Sequence, residues 1–364
     1  MVAPLNNFAD PSSSHGENMP DLKSWTLDEQ KRFWFGLAHD AIQFWGLGAS
    51  RLSWLGYSNN AVFKVCAPRG IYVLRMHLPG RGRAERLASE LAWLQYLRQN
   101  TELFAPAPVP LPDNTAQDLF AALRPAQLAP DAVLCSLFQY KEGDTKSAKK
   151  LTAADVRAVG LYLGALHREG QFEPPTGFAR PSLDWEGMFG QESLYTVGDS
   201  SISISDEQAD TFERVEDCVR RTMASIDRGP GTFGLIHGDL LSKNIIFHND
   251  QLVALDFEYC GWGYFLYDLA PLLWQLKGER PGDYAQLEDA LWSGYKSKTG
   301  MDAGMRDHLE AFLAARQLLS CRWLLAKAGH PALRGLAPKL LVDRTSELRD
   351  YLTSGVLTRQ SLTL

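Results

Sequence analysis

FGLIHGDLLSKNIIFHNDQLVALDFEYCGWGYFLYDLA, residues Phe233 to Ala270, is the stretch on which the reading of the chain turns. Gly234-Leu235-Ile236 and Ile245-Ile246-Phe247 are short apolar runs of strand type, and His237-Gly238-Asp239 turns away from the first. Asn249-Asp250 signals another turn, and Leu252 to Leu255 predicts a third strand ending in Asp256-Phe257-Glu258. Asp239, Asn244 and Asp256 are therefore expected at the ends of neighbouring strands. Turn formation alone explains one such residue; two motifs in this order call for chemistry.

Phosphoryl transfer from ATP needs a carboxylate to orient the attacking hydroxyl and take its proton. It also needs hard oxygen ligands, an Asn and a second Asp, for Mg²⁺ at the phosphates. His237-x-Asp239-x-x-x-x-Asn244 has the spacing of a kinase catalytic loop, and Asp256-Phe257-Glu258 stands where protein kinases carry Asp-Phe-Gly. With its HGD opening and Tyr267-Asp268-Leu269-Ala270, the stretch resembles the aminoglycoside phosphotransferase and choline kinase superfamily. The run from Glu258 to Ala270 is most similar to the branch of type II homoserine kinases and a bacterial stress-response Ser/Thr kinase. The resemblance implies an α+β, two-lobed protein-kinase-like fold with ATP in the cleft. Its N-lobe would be small and mainly antiparallel sheet, its C-lobe larger and helical.

Composition permits this. With 364 residues, 45% hydrophobic and 22% charged, the chain has material for two packed lobes. Net charge is -6, and Lys and Arg form no long stripe, which argues against nucleic acid as partner. Cys66, Cys135, Cys218, Cys260 and Cys321 lack C-x-x-C spacing and suit buried thiols in a reducing compartment. No apolar run approaches the ~18 residues of a membrane span. A cytoplasmic protein with no membrane partner is the expectation.

Upstream, residues 1–24 are polar and turn-rich and predict a flexible tail. Thr26 to Glu29 predicts a capped helix ended by Gly46 and Gly48. Arg51 to Val65 predicts two strands joined by Gly56-Tyr57-Ser58-Asn59-Asn60. That joint resembles the superfamily's nucleotide-binding loop, although an ordinary hairpin turn explains the same letters. Ile71 to His77 predicts a third strand, with Arg75 where protein kinases carry the V-A-I-K lysine and a charge suited to the phosphates. Arg83 to about Gln99 predicts a helix whose leucine stripe packs on the sheet. Glu90 is preferred over Glu85 as the partner of Arg75. Val133 to Tyr140 predicts a buried strand leading to the hinge, where backbone groups near Gln139 and Lys141 are expected to bond adenine. These divisions give an N-lobe over 25–138 and a C-lobe over 139–364. Thr152 caps a helix through Arg168, in which Gly160 and Gly164 permit close approach and His167 is a core or capping residue. Glu192 to Asp210 reads as a loop, Asp210 to Ile226 as a helix, and the chain beyond Ala270 as helical.

In the roles the resemblance implies, Asp239 is the base, Asn244 and Asp256 hold Mg²⁺, and Arg75 with residues 56–60 neutralises phosphates. His237 and Asp268 support the loop, Glu258 adds a metal or substrate contact, and Lys243 points outward. Tyr259, Trp262, Tyr264 and Phe265 offer either an aromatic box for an ammonium group or plain packing. The expected acceptor is a small hydroxylated molecule such as a homoserine- or choline-like amino alcohol or an aminoglycoside. A Ser/Thr protein kinase and a non-catalytic nucleotide-binding module are the alternatives; oligomeric state is left open.

Overall fold

The first described helix, α1 (Leu27–Ala41), begins with a reciprocal cap: Thr26 Oγ1 accepts from the Glu29 N–H and Glu29 accepts from the Thr26 N–H. Such a cap stabilises by about 1 kcal/mol. Gly46, at φ 64, stops the short 3₁₀ turn that follows. This computed structural model describes residues 25–361 and 363, apart from 58, 79–83, 113–117, 129–130, 192, 194–201, 250, 329–332 and 334. The expected tail 1–24, Ser58 of the phosphate loop, Arg83, Asp250 and most of 192–201 lie outside the described residues.

Next come β1 (Arg51–Tyr57), β2 (Asn60–Ala67), β3 (Gly70–His77), α2 (Ala84–Asn100), β4 (Phe120–Leu123) and β5 (Val133–Gln139). The strands form one antiparallel sheet in the order β1-β2-β3-β5-β4. Successive side chains alternate between its faces. Ala61, Phe63, Val65, Leu74, Met76, Val133, Cys135 and Leu137 meet Trp34, Leu37, Ala38 and Ala41 of α1 in one core. Leu134 and Phe138 point the other way, into a larger core that includes Leu87, Leu91, Trp93, Leu94 and Leu97 of α2.

The α2 stripe thus packs on the sheet as expected, on the face opposite α1, and the same core extends into the C-terminal helices. Three polar ties fasten α2 there: Trp93 Nε1 donates to Gly170 O at 2.7 Å, Tyr96 Oη to Gln171 O at 3.0 Å, and the Ala179 N–H to Ser89 Oγ at 2.7 Å.

The larger part runs β6 (Asp144–Thr145), α3 (Ala153–Glu169), β7 (Ser182–Leu183), α4 (Trp185–Phe189), α5 (Asp206–Ala224), β8 (Phe233–Ile236), β9 (Ile245–His248), β10 (Gln251–Ala254), β11 (Gly261–Tyr264), α6 (Phe265–Glu279), α7 (Tyr284–Thr299), α8 (Leu309–Ala326) and α9 (Ala337–Ser354). Helix α5 starts earlier than the sequence pattern suggests, because Ser205 and Gln208 form the capping box there. Helices α3 and α7 touch backbone to backbone: a Cβ on Gly160 would sit 2.1 Å from Leu291 O, and one on Gly294 2.2 Å from Arg157 O.

The strands of the opening stretch do not share one sheet, which corrects the expectation of neighbouring strand ends. β8 pairs with β11 and β11 with β7, whereas β9 lies between β10 and β6. Buried Leu240 and Leu241 carry the chain from one small sheet to the other. Asp239 thus leaves one sheet, while Asn244 and Asp256 flank a hairpin of the other. Among the described residues no helix is long and apolar enough to cross a membrane.

Candidate active site

After β8 the chain turns at Gly238, whose φ of 82 and close approach to Tyr259 O, 2.6 Å from where a Cβ would stand, require glycine. Asp268, buried in the first turns of α6, fixes this turn. Its Oδ2 accepts from the His237 N–H at 2.8 Å and its Oδ1 from the Gly238 N–H at 2.7 Å. His167 Nε2 lies 3.0 Å from Oδ2, and its Nδ1 lies 2.9 Å from Tyr295 Oη. Burial opposes the charge on Asp268, but the bond from His167, the nearby His237 ring and the His237 N–H outweigh it and hold the carboxyl below its usual range. His237 Nε2 donates to Leu255 O at 2.8 Å, so Nδ1 is the acceptor 3.3 Å from the Asp239 N–H. That ring ties the loop to the approach of Asp256. Asn244 Nδ2 donates to Asp239 O at 3.0 Å.

Asp256 adopts φ 61, a left-handed conformation that Asp tolerates better than most residues. Its side chain opens to solvent on the cleft floor, within a ring of protein at longer range. The surrounding protein, together with the Asp239 and Glu90 carboxylates, raises its pKa against the pull of Arg75 and His237. Burial, and then the Asp256 charge, push Glu258 up to about 7. Glu258 accepts from Asn60 Nδ2 at 2.8 Å, and Asn59 Nδ2 donates to Tyr259 Oη, so the β1–β2 turn is folded down on this segment. Arg180 holds the segment from behind, donating to the carbonyls of Cys260 at 2.7 Å, Arg86 at 2.9 Å and Glu258.

Arg75 Nη1 donates to Glu90 Oε1 at 2.8 Å, in a pair nearly closed to solvent. The exposed Glu85 is not this partner. Arg75 lies over the Phe138 ring at 5.1 Å, and its Nε and Nη2 are buried with no hydrogen-bond partner among the described residues. An arginine fork left open in this way is suited to a phosphate oxygen.

A cavity of about 930 Å³ gathers most of the residues singled out in the sequence. Gly56, Tyr57, Asn59, Asn60, Arg75, Glu90, Gln139, Lys141, Asp239, Asn244, Asp256 and Glu258 line it, as does the exposed Lys243. His237 and Asp268 stand behind the wall, and His167 is a core histidine. One expectation needs amendment. The Gln139 N–H is spent on Ala107 O at 2.9 Å, so it is not a donor for adenine. At Gly56 no crowding calls for glycine, since a Cβ there would meet nothing within 4 Å. Of the two readings of the aromatic run, packing is the one the structure shows: Tyr264 Oη donates to Met223 O, Phe265 stacks on His167 and Trp262 packs edge-on against Phe178, so that of the four only Tyr259 lines the cavity.

Arg316 of α8 is the residue that the sequence reading missed. Its Nη2 lies 2.7 Å from Asp239 Oδ1, with Asp239 14% exposed. The sequence held no signal that singles it out, since α8 carries both Arg316 and Arg322 in an otherwise largely apolar helix. No cluster of three His, Cys, Asp or Glu side chains suited to a metal occurs among the described residues. Asp256 with the Asn244 amide is instead a sparse oxygen set of the sort Mg²⁺ completes with phosphate oxygens and water.

Residues 51–305 match the phosphotransferase enzyme family. Homoserine kinase of Sinorhizobium fredii is 28% identical over 242 residues, 65% of this chain and 67% of that protein. The serine/threonine protein kinase RdoA of Salmonella typhimurium is 26% identical over 49% of this chain and 51% of its own length. Among solved structures, a microcompartment-associated aminopropanol kinase superposes with a TM-score of 0.76 at 23% identity, covering 89% of this chain and 99% of the other. That last likeness is one of fold.

Proposed function

The chain belongs to the phosphotransferase enzyme family, and we propose that it moves the γ-phosphate of ATP, taken with Mg²⁺, to a hydroxyl of a small molecule. The observation that carries this reading is the convergence of Asp239, Asn244, Asp256 and the open fork of Arg75 on one cavity. Arg75, positioned by Glu90, would hold phosphate oxygens, and the 56–60 turn would cover them. Asn244 and Asp256 would hold Mg²⁺, which when bound neutralises charge on the β- and γ-phosphates. Asp239 would orient the acceptor hydroxyl and take its proton as the new O–Pγ bond forms and the bond from Pγ to the β-phosphate oxygen breaks, releasing ADP.

We place the change of lobe at residues 138–139, with Lys141 lining the cavity on the adenine side, and we place the protein in the cytoplasm. The presence of Asp239, Asn244 and Asp256 together speaks against a module that only binds nucleotide.

The test is Mg²⁺-dependent ADP release with small alcohols, amino alcohols, aminoglycosides and a protein acceptor. Asp239→Ala should abolish transfer and leave ATP affinity nearly intact, whereas Asp256→Ala should also weaken Mg-ATP binding. Equal activity of Asp239→Ala and the parent would sink the mechanism, and transfer to protein alone would make the chain a protein kinase.

A further inference from the structure

Asp239 is held through its backbone in three places and through its carboxylate in one. Its N–H lies 3.3 Å from His237 Nδ1, and its carbonyl accepts from Asn244 Nδ2 at 3.0 Å and from the Leu241 N–H at 2.9 Å. The carboxylate has a single ion-pair partner among the described residues, Arg316 of α8, whose Nη2 lies 2.7 Å from Oδ1. Oδ1 makes no hydrogen bond beside that pair. Arg316 is in turn fixed by α6. Its guanidinium lies 5.2 Å from the centre of the Trp274 ring, and Trp274 is itself locked, its Nε1 donating to Gln317 Oε1 at 2.6 Å and the Arg359 guanidinium lying 3.5 Å from its ring centre. Two turns earlier on α6 the Tyr267 hydroxyl is bonded to Arg316. Burial raises the pKa of that hydroxyl against the Arg316 charge and bond, and the Asp239 and Asp268 charges add to the rise. Arg316 and Asp239 both line the cavity, with side chains 10% and 14% exposed, so the pair stands where an acceptor has to arrive.

A carboxylate turns readily about its last torsion, which is broad and two-fold. Phosphoryl transfer asks the base for position more than for strength, and a misplacement of about 1 Å costs on the order of 100-fold in rate. We propose that Arg316 is the positioning residue for this reaction: by holding Oδ1 of Asp239 it fixes the carboxylate plane and leaves Oδ2 to receive the acceptor hydroxyl. This rests on the phosphotransferase reading above, yet the residues that match the family end at 305, so the role belongs to a part of the chain that the match does not cover. A plain staple between α8 and the catalytic loop is the competing account. A staple needs no particular carboxylate, and a buried ion pair is weak evidence for stability. The pair found here engages the side chain proposed as the base.

The experiment measures ADP release with the best acceptor of the panel above in the parent, Arg316→Met, Arg316→Lys, Asp239→Ala and the double variant Asp239→Ala/Arg316→Met. Arg316→Met should lower kcat about 10- to 100-fold with the KM for ATP within about twofold, and Arg316→Lys should recover at least about threefold of that loss. Because Arg316 acts through Asp239, adding Arg316→Met to Asp239→Ala should lower the residual rate by less than about twofold further. If Arg316→Met does not fold, Arg316→Gln serves, with an expected fall in kcat of about three- to tenfold. A staple alone would instead lower the urea midpoint and leave kcat of the folded variant within about twofold of the parent, which would overturn the proposal. An inactive Asp239→Ala beside that result leaves phosphotransfer standing; an active one removes the base itself. Should no acceptor drive ADP release, crystal structures of the parent and the folded Arg316 variant decide. An Asp239 carboxylate turned by more than about 30° or split between two orientations in the variant supports the proposal, and an unmoved carboxylate overturns it.

Discussion

Replacing Asp268 by alanine should cost more stability than any single change on the surface of this protein. The carboxylate is fully buried and is the acceptor for two backbone N–H groups, at 2.8 and 2.7 Å, and a partner of His167 at 3.0 Å. Removing an acceptor from a buried donor costs about 1–3 kcal/mol. Three such losses set a ceiling near 9, and relaxation with entry of a water brings the expectation to about 4 kcal/mol. That is a large fraction of the 5–15 kcal/mol that holds a typical domain. Asp268→Asn should lose roughly 3 kcal/mol, because its amide turns one accepting edge into a donor facing an N–H. The turn released is the one that presents Asp239, so kcat should also fall about 10- to 100-fold. The folded pKa of Asp268 is depressed, so its contribution is fully present above the unfolded carboxyl range, near pH 4, and is lost as pH falls through the folded value. The gap between parent and Asp268→Asn in urea unfolding should therefore be flat from pH 5 to 8 and narrow only in acid. A loss under about 1 kcal/mol at pH 7 with unchanged m-value would refute the reasoning.

Gly160→Ala should destabilise by about 3 kcal/mol, at the upper end for overpacking, because its methyl would stand 2.1 Å from a backbone oxygen of α7 that cannot swing aside. An unchanged urea midpoint would contradict the α3–α7 contact. Burial, then the charges of Arg75 and Arg180, hold His77 neutral well below the usual imidazole range. The unfolded chain takes up a proton below about pH 6.5 that the folded chain refuses, so stability should fall with pH there by up to about 1.4 kcal/mol per unit. His77→Gln should flatten that slope; parallel slopes between pH 6.5 and 5 in both proteins would count against it.

The groups legible in the sequence are those held by local geometry. Asp239 follows a strand and a glycine that must adopt positive φ, Asn244 and Asp256 bracket a hairpin, and Arg75 sits mid-strand. Each has a short-range signature that survives without a structure. Arg316 has none, because its meaning comes from Asp239, distant in sequence and close in space. An apolar stripe such as that of α2 states that it will be buried, not against what, and strand periodicity does not name a strand's sheet. The unread second partner of α2, the C-terminal core, and the misplacement of β8 follow from those two limits. The aromatic run after Glu258 left two readings open for a related reason: its rings face three directions, each claimed by a different part of the fold.

The ties that bind α2 to the C-terminal core give the Arg75–Glu90 pair a mechanical meaning. Glu90 rides on a helix anchored through Ser89, Trp93 and Tyr96 to residues 170–179, while Arg75 rides on a strand of the sheet capped by α1. The pair thus joins, deep in the cavity wall, the sheet to a helix that belongs mechanically to the other part of the molecule. On the function proposed above, any shift of the sheet against that helix would load this bond, so the arginine proposed to hold phosphate would also register the movement.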